Sequence, residues 1–296
     1  MESDPPRTET KPAIRFSRFL RSGWLIALGT SVTVGLGVFT LLGQVMQVTG
    51  VRAPAAYGLA AIIFIPLVIT YAERAAAKPE EGWAFSLAHN DEPLTLSFLS
   101  SWISIAGYLC LAALLSWSAG LHLSRLVEQF SGYLIEVRYL AIGLIALVVL
   151  NRLLTTRERW QSRTLIIYGS IFILLLLILR AWASPGVDDR VRVLLRTPSD
   201  MLRVIAYLAT TIWGICLILD HGDQVRRPGR TMLPVLMITL LGGLFVGIFA
   251  AGAIASDPGL VINNATPLAS LATQIGELMG VIYLVAAVLI ALMALD

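Results

Sequence analysis

The chain has 296 residues, 57% of them hydrophobic and only 14% charged, against about 25% charged in an average soluble domain. No charge lies between Arg21 and Arg52, Arg52 and Glu73, Glu92 and Arg125, or Arg230 and Asp257, and each gap can hold the roughly 20 apolar residues that cross a bilayer core. That pattern excludes a soluble globular domain, and a net charge of +3 is too small to point to nucleic acid.

In chain order, residues 1–22 are a Pro- and charge-rich arm, basic near its end at Arg15, Arg18 and Arg21. The apolar run after it is too long for the core of a signal peptide. Eight membrane spans follow: Trp24–Val48, Ala53–Ala72, Leu94–Leu123, Tyr139–Leu154, Thr164–Trp182, Met201–Leu219, Met232–Ala255 and Pro267–Leu295. Spans four, five and six have the shortest charge-free cores, so Arg152, Arg180 and Arg203 must snorkel to the interface.

Orientation follows from the basic residues. With the N-terminus inside, the inner segments hold five Lys and Arg in the arm, two between spans two and three, four between four and five when Arg152 at the end of span four is counted, and three between six and seven, which is 14 of the 22. The expectation is a multi-pass protein of the cell membrane with a cytoplasmic N-terminus. Arg226–Arg230 then faces the cytoplasm, and Asn263–Asn264, in the charge-poor loop Ser256–Thr266, faces out. The outer segment Ser184–Asp200 carries three acidic residues among its arginines and is a candidate interfacial helix.

Cofactor signals are missing. Cys110 and Cys216 lie inside apolar runs without metal-ligand spacing, and read as small buried hydrophobes. His89, His122 and His221 are scattered, whereas a metal centre needs clustered ligands. No phosphate-binding glycine loop and no nucleophile elbow occur. The expected cofactor complement is none, the expected metal complement is none, and no catalytic residue is assigned.

Span one is the most informative stretch. Gly29-Thr-Ser-Val-Thr-Val-Gly35-Leu-Gly37-Val-Phe39, followed by Gly43, puts four glycines within fifteen positions, with three hydroxyl residues between the first two. Each interior glycine costs up to about 1 kcal/mol relative to alanine. Such a helix can break at mid-membrane, where irregular backbone is tolerated only beside a cavity. A break at Gly35–Gly37 exposes amides that suit a carboxylate. The same glycines also suit close helix packing through small residues.

Val34-Gly35-Leu36-Gly37-Val38-Phe39 resembles the Gly-x-Gly-Ile-Phe signature of the amino acid–polyamine–organocation (APC) superfamily of permeases. Further stretches resemble that family in order. Tyr71-Ala72-Glu73-Arg74 with Pro79 and Gly82 is similar to the end of its second helix and the following loop. Trp213-Gly214, then Asp223-Gln-Val-Arg-Arg-Pro228-Gly-Arg-Thr-Met-Leu-Pro234, is similar to its sixth helix and the proline-started seventh, and Pro267-Leu268-Ala269 to the start of its eighth. The resemblance covers residues 20–296.

The resemblance implies an all-α integral membrane protein, a leucine-transporter-like bundle of inverted five-helix repeats with spans one and six broken at the bilayer centre. Residues 23–182 would be the first repeat, 183–200 an extracytoplasmic segment, and 201–296 an incomplete second repeat of helices six to eight. A chain ending after the eighth helix is expected to be a fragment that does not transport alone. Gly35, Leu36 and Gly37 would present amides to a substrate carboxylate, while carbonyls near Val34 and around Thr211–Gly214 would receive an ammonium group. Thr210, Thr211, Ile212 and Trp213 would shape the side-chain pocket. Trp213 would stack on an apolar or cationic part of the substrate, or serve as an ordinary core tryptophan.

Three departures from the family pattern stand out. Leu36 replaces a small hydroxyl residue, Gly214-Ile215-Cys216 replaces Gly-aromatic-Glu, and no lysine lies between Thr164 and Trp182. The resemblance therefore names no coupling ion. Glu277, the one carboxylate well inside an expected span, is a candidate for the entrance or for coupling, unless the eighth span begins only after it. Asp220, His221 and Asp223 at the inner end of span six are either an inner gate or a solvated loop. The expected function is a secondary transporter moving an amino acid or a related amine by alternating access. The alternatives are a truncated, non-transporting membrane interaction protein and an integral membrane enzyme. The expected partners are that substrate and membrane lipid.

Overall fold

The computed structural model describes residues 12–77, 94–154, 160–183, 198–221, 228–255, 260 and 266–295. Residues 1–11, most of the segment 183–200, Pro79, Gly82, His89, Asp223, Arg226 and Asn263–Asn264 lie outside the described residues. The described residues are almost all helical, with short non-helical joints such as 132–136. Its helices are α1 (Pro12–Val34), α2 (Leu42–Thr49), α3 (Ala53–Ala77), α4 (Leu94–Ser131), α5 (Val137–Leu154), α6 (Trp160–Trp182), α7 (Pro198–Ala209), α8 (Trp213–Asp220), α9 (Pro228–Ala255), α10 (Pro267–Ile275) and α11 (Glu277–Leu295). Eight helical stretches among them are long and apolar enough to cross a bilayer. Span one is α1 with α2, span six is α7 with α8, and the other spans are α3, α4, α5, α6, α9 and α11.

Two boundaries differ from the sequence expectation. The expected eighth span, Pro267–Leu295, is two helices separated at Gly276, whose backbone is extended, so the membrane span starts at Glu277. Proline at the first helical turn starts α10 well, since its missing N–H has no helical partner there in any case. The third span is longer than expected. Its helix runs 38 residues, about 57 Å at 1.5 Å per residue, well past a hydrocarbon core of about 30 Å.

Spans one and seven and the paired halves of span six form the centre. The window of span one, Gly23–Thr40, is 78% buried within the bundle, whereas those of spans three and four are 11% buried. The outward faces of the latter carry Leu109, Trp117, Leu150 and Leu153, a surface suited to lipid. The broadest helix pairing is span two with span seven; span eight packs on spans three and five, and span one on spans six and seven. Polar joints tie the periphery in. The Tyr168 hydroxyl donates to the Gly23 carbonyl at 3.0 Å, and the Trp182 indole donates to the Phe249 carbonyl at 3.2 Å.

Small residues let the central helices meet. A Cβ on Gly214 would collide with the Gly29 carbonyl and the Thr33 hydroxyl, and one on Gly243 would strike the Thr33 side chain. Spans six and seven thus close on the same turn of span one. In lipid, association relies on such van der Waals fit, because burying apolar surface gains little there. Gly243→Ala is therefore expected to lower stability by about 1–3 kcal/mol, whereas Gly242→Ala, whose Cβ would meet nothing, should leave the thermal melting of the detergent-solubilised protein unchanged. Equal melting of both variants would contradict this packing.

Candidate functional site

Span one leaves α geometry at Gly35 and runs as a π-helix through Thr40, with Leu41 at the bend before α2. The wider turn shows in the Leu41 N–H, which donates five residues back to the Leu36 carbonyl at 2.9 Å. Two carbonyls of this turn take side-chain donors: the Thr40 hydroxyl donates to Gly35 at 2.8 Å, and the Tyr57 hydroxyl of span two donates to Gly37. Tyr57 is fully buried. Single π turns inside α-helices concentrate at functional sites.

Span six makes the matching departure. It tightens into a 3₁₀ turn at Thr210–Ile212, just before Trp213–Gly214, and resumes as α8. Both helices thus stay wound where the sequence places a break, and the change is in pitch. The two irregular turns touch. The Thr33 hydroxyl donates to Gly29 at 2.9 Å and reaches the Thr211 carbonyl at 3.4 Å. A Cβ on Gly37 would stand 3.2 Å from the Thr211 methyl group.

Val34, Gly35, Leu36, Gly37, Thr211 and Gly214 are all buried at or beside this crossing. Leu36 fills its space against Leu111 and Leu115 of span three, with Trp213 packed on the same cluster. Thr210, Ile212 and Trp213 are half-buried, and the Thr210 hydroxyl turns back to the Tyr207 carbonyl at 2.7 Å.

Ile212 and Trp213 line a cavity of about 300 Å³ together with Ala209 and Cys216 of span six, Leu67 and Tyr71 of span two, and Ser104 and Tyr108 of span three. The Trp213 ring meets Tyr108 edge-on, centroids 4.9 Å apart, and sits so close to Gly107 that a Cβ there would run into it. The Tyr108 hydroxyl donates to the Asp220 carboxylate, joining span three to the end of span six. The Asp220–His221 pair is therefore part of the packed structure, and His221 Nδ1 lies 2.9 Å from the Leu217 carbonyl.

Glu277 is the exposed first residue of α11. It lies at the end of a span rather than within one, on a cavity of about 650 Å³ shared with Arg125, Glu128 and Gln129 of span three. Gln129 donates to the Glu277 carbonyl at 3.4 Å, and Arg125 donates to the Ser270 hydroxyl at 3.3 Å. Also on span three, His122 is buried between Phe39 of the π turn and Tyr283 of α11, with both ring centroids 6.0 Å away. Its Nδ1 lies 2.8 Å from the Ser118 carbonyl, and Nε2 has no hydrogen-bond partner among the described residues.

Sequence reasoning assigned no site role to Tyr57, Tyr71, Ser104 or Tyr108. The available signal was that a tyrosine in an apolar span must find a partner for its hydroxyl, and that Tyr57 and Tyr71 are about four helical turns apart on span two. Among the described residues, no three His, Cys, Asp or Glu side chains gather as metal ligands; Cys110 and Cys216 are both free, but Cys110 is exposed on span three and Cys216 only half-buried, so neither is the buried hydrophobe the sequence suggests. The eight apolar helices define the class, a multi-pass helical membrane protein. No protein-family model matches the chain.

The hydroxyl of Tyr57 gives the site its clearest test. Tyr57→Phe leaves the Gly37 carbonyl without its donor in the membrane interior, a loss of about 1–3 kcal/mol. Its melting temperature should fall clearly below that of Tyr139→Phe, which alters an exposed ring. Matching melting curves would mean that Gly37 is satisfied otherwise.

Proposed function

We propose that this protein is a secondary transporter of the amino acid–polyamine–organocation type, binding an amino acid or related amine where spans one and six cross and moving it by alternating access. The observation that carries the reading is the contact between the π turn Gly35–Thr40 and the 3₁₀ turn Thr210–Ile212. Two helices that abandon α geometry where they touch, inside a bundle, are hard to explain by packing alone. The helix pairings support the same reading. Spans one with six, two with seven and three with eight are the pairs that an inverted five-helix repeat brings together across its own axis.

In this reading the amides of Gly35, Leu36 and Gly37 receive the substrate carboxylate, and carbonyls at Val34 and Thr211–Gly214 receive the ammonium group. Thr210, Thr211, Ile212 and Trp213 set the fit of the side chain, and the cavity beside Trp213 is at the small end of the range of ligand pockets. Binding requires the crossing to loosen, since Leu36 occupies the space now. A static interaction protein is the rival, favoured by how closely Gly214 and Gly243 pack on Thr33 and Gly29 on the Gly214 carbonyl.

A thermal-shift screen separates the two. A true substrate at a hundred times its Kd should stabilise the protein by about 2.7 kcal/mol, with the L-amino acid exceeding its D-enantiomer. Gly37→Leu should abolish the shift while leaving insertion intact, because leucine favours insertion, and Gly58→Leu, facing open space, should retain it. If no amino acid or amine stabilises the protein, or Gly37→Leu responds like wild type, the site is not there. Sidedness is tested independently. In a Cys110→Ser/Cys216→Ser background, a cysteine at Arg230 should be protected from an impermeant thiol reagent in intact cells and one at Asn264 labelled. The reverse pattern would invert the topology.

A further inference from the structure

A second cavity, of about 440 Å³, lies at the end of the bundle where span one begins, bounded by spans one, three, six and eight. Three basic side chains from three different helix ends reach it: Arg152 at the close of α5, Arg163 in the first turn of α6, and His221 just after α8. The neighbouring carboxylate, Asp220, accepts from Tyr108. The rest of the wall is mainly aliphatic. Ile105 and Leu109, on the span-three side, are 50% and 67% exposed, so the cavity opens sideways along the bundle's apolar flank rather than only toward its end.

We propose that this cavity binds one anionic phospholipid from the adjoining leaflet, with its phosphate against Arg152 and Arg163 and an acyl chain along Ile105 and Leu109. The chemistry is divided as an amphiphile requires. Fixed positive charge sits at the level of the headgroups, where arginines at helix ends belong, and an open apolar wall continues from it into the hydrocarbon. A free anion would use the arginines but gain nothing from the aliphatic side, and a neutral lipid would use only the wall. Basic pockets between membrane helices have this character for lipid headgroups. The proposal is independent of the transport reading and of which leaflet this end faces.

Native mass spectrometry of the purified 296-residue protein tests it, using mixed micelles with equal phosphatidylglycerol and phosphatidylcholine of the same acyl chains. Each basic side chain near an anionic headgroup is worth a factor of about five, so the two arginines predict a preference for phosphatidylglycerol of about thirtyfold. Arg152→Gln/Arg163→Gln should bring the ratio to within about twofold. Ala112→Trp, which fills the cavity and keeps both charges, should also abolish the preference, although general surface attraction would survive it. Millimolar inorganic phosphate should leave the lipid adduct in place. Equal retention of the two lipids by wild type, a preference that persists in either variant, or displacement of the lipid by inorganic phosphate would each overturn the proposal. If one variant fails to fold, the other and the phosphate competition still decide.

Discussion

A carbonyl released from α-helical geometry in the middle of a bilayer has no water to turn to, and leaving it unpaired costs several kcal/mol. The π turn of span one is possible because that requirement is met from outside the helix. Tyr57 reaches across from span two to Gly37, and Thr40 folds back to Gly35. Tyr57 can make this bond only if span two lies flush against span one, and its ring is in turn fixed by span seven, where a Cβ on Gly247 would run into it. The geometry of one turn therefore depends on three spans being seated at once.

The same economy governs the crossing with span six. Gly214 and Gly243 face Thr33 without side chains of their own, and Gly29 lies against the Gly214 carbonyl, so Thr33 can hold two backbone carbonyls while three helices meet around it. Such a crossing is short and stiff, and any sliding of span six along span one must carry Thr33 past a carbonyl or a glycine. Farther from it the packing loosens, and the cavity beside Trp213 opens within two turns of Gly29's partner Gly214. Rigid contact and free volume are thus adjacent on span six.

How much of this the sequence carried can be judged residue by residue. Charge-free gaps located the spans because an arginine or glutamate at bilayer depth is costly, so Arg52, Glu73 and Arg230 act as punctuation. Glycine density marked where span one would leave α geometry. It did not reveal that the turn would rewind as a π-helix, since that is decided by Tyr57, 20 residues on, and the approach of span six, 178 residues from Thr33. Tyr108 was equally opaque, being one aromatic in an apolar run whose partner Asp220 is 112 residues away. The start of span eight was misplaced because Pro267 does begin a helix, and the interruption at Gly276 resembles the packing glycines found elsewhere in the chain. The bringing together of Val34–Gly37 with Thr210–Gly214 was legible only through the family resemblance, as no local pattern joins two spans so distant in sequence.

Span three emerges as the strut against which the crossing is set. Leu111 and Leu115 meet Leu36 at its middle. At one end Tyr108 and Asp220 hold it to span six through a directional hydrogen bond, and toward the other end His122 meets Phe39 and Tyr283 through ring contacts alone. These two joints differ in physical kind. The first satisfies both polar partners and must be broken for span six to swing away. The second rests on ring contacts around a buried imidazole whose Nδ1 lies against the Ser118 carbonyl of its own helix. Separation at the His122 end would break ring contacts alone, whereas separation at the Tyr108 end would leave a hydroxyl and a carboxylate to find new partners. Span three therefore biases the bundle, and the bias sits in two side chains roughly four helical turns apart on opposite sides of the leucines that contact Leu36.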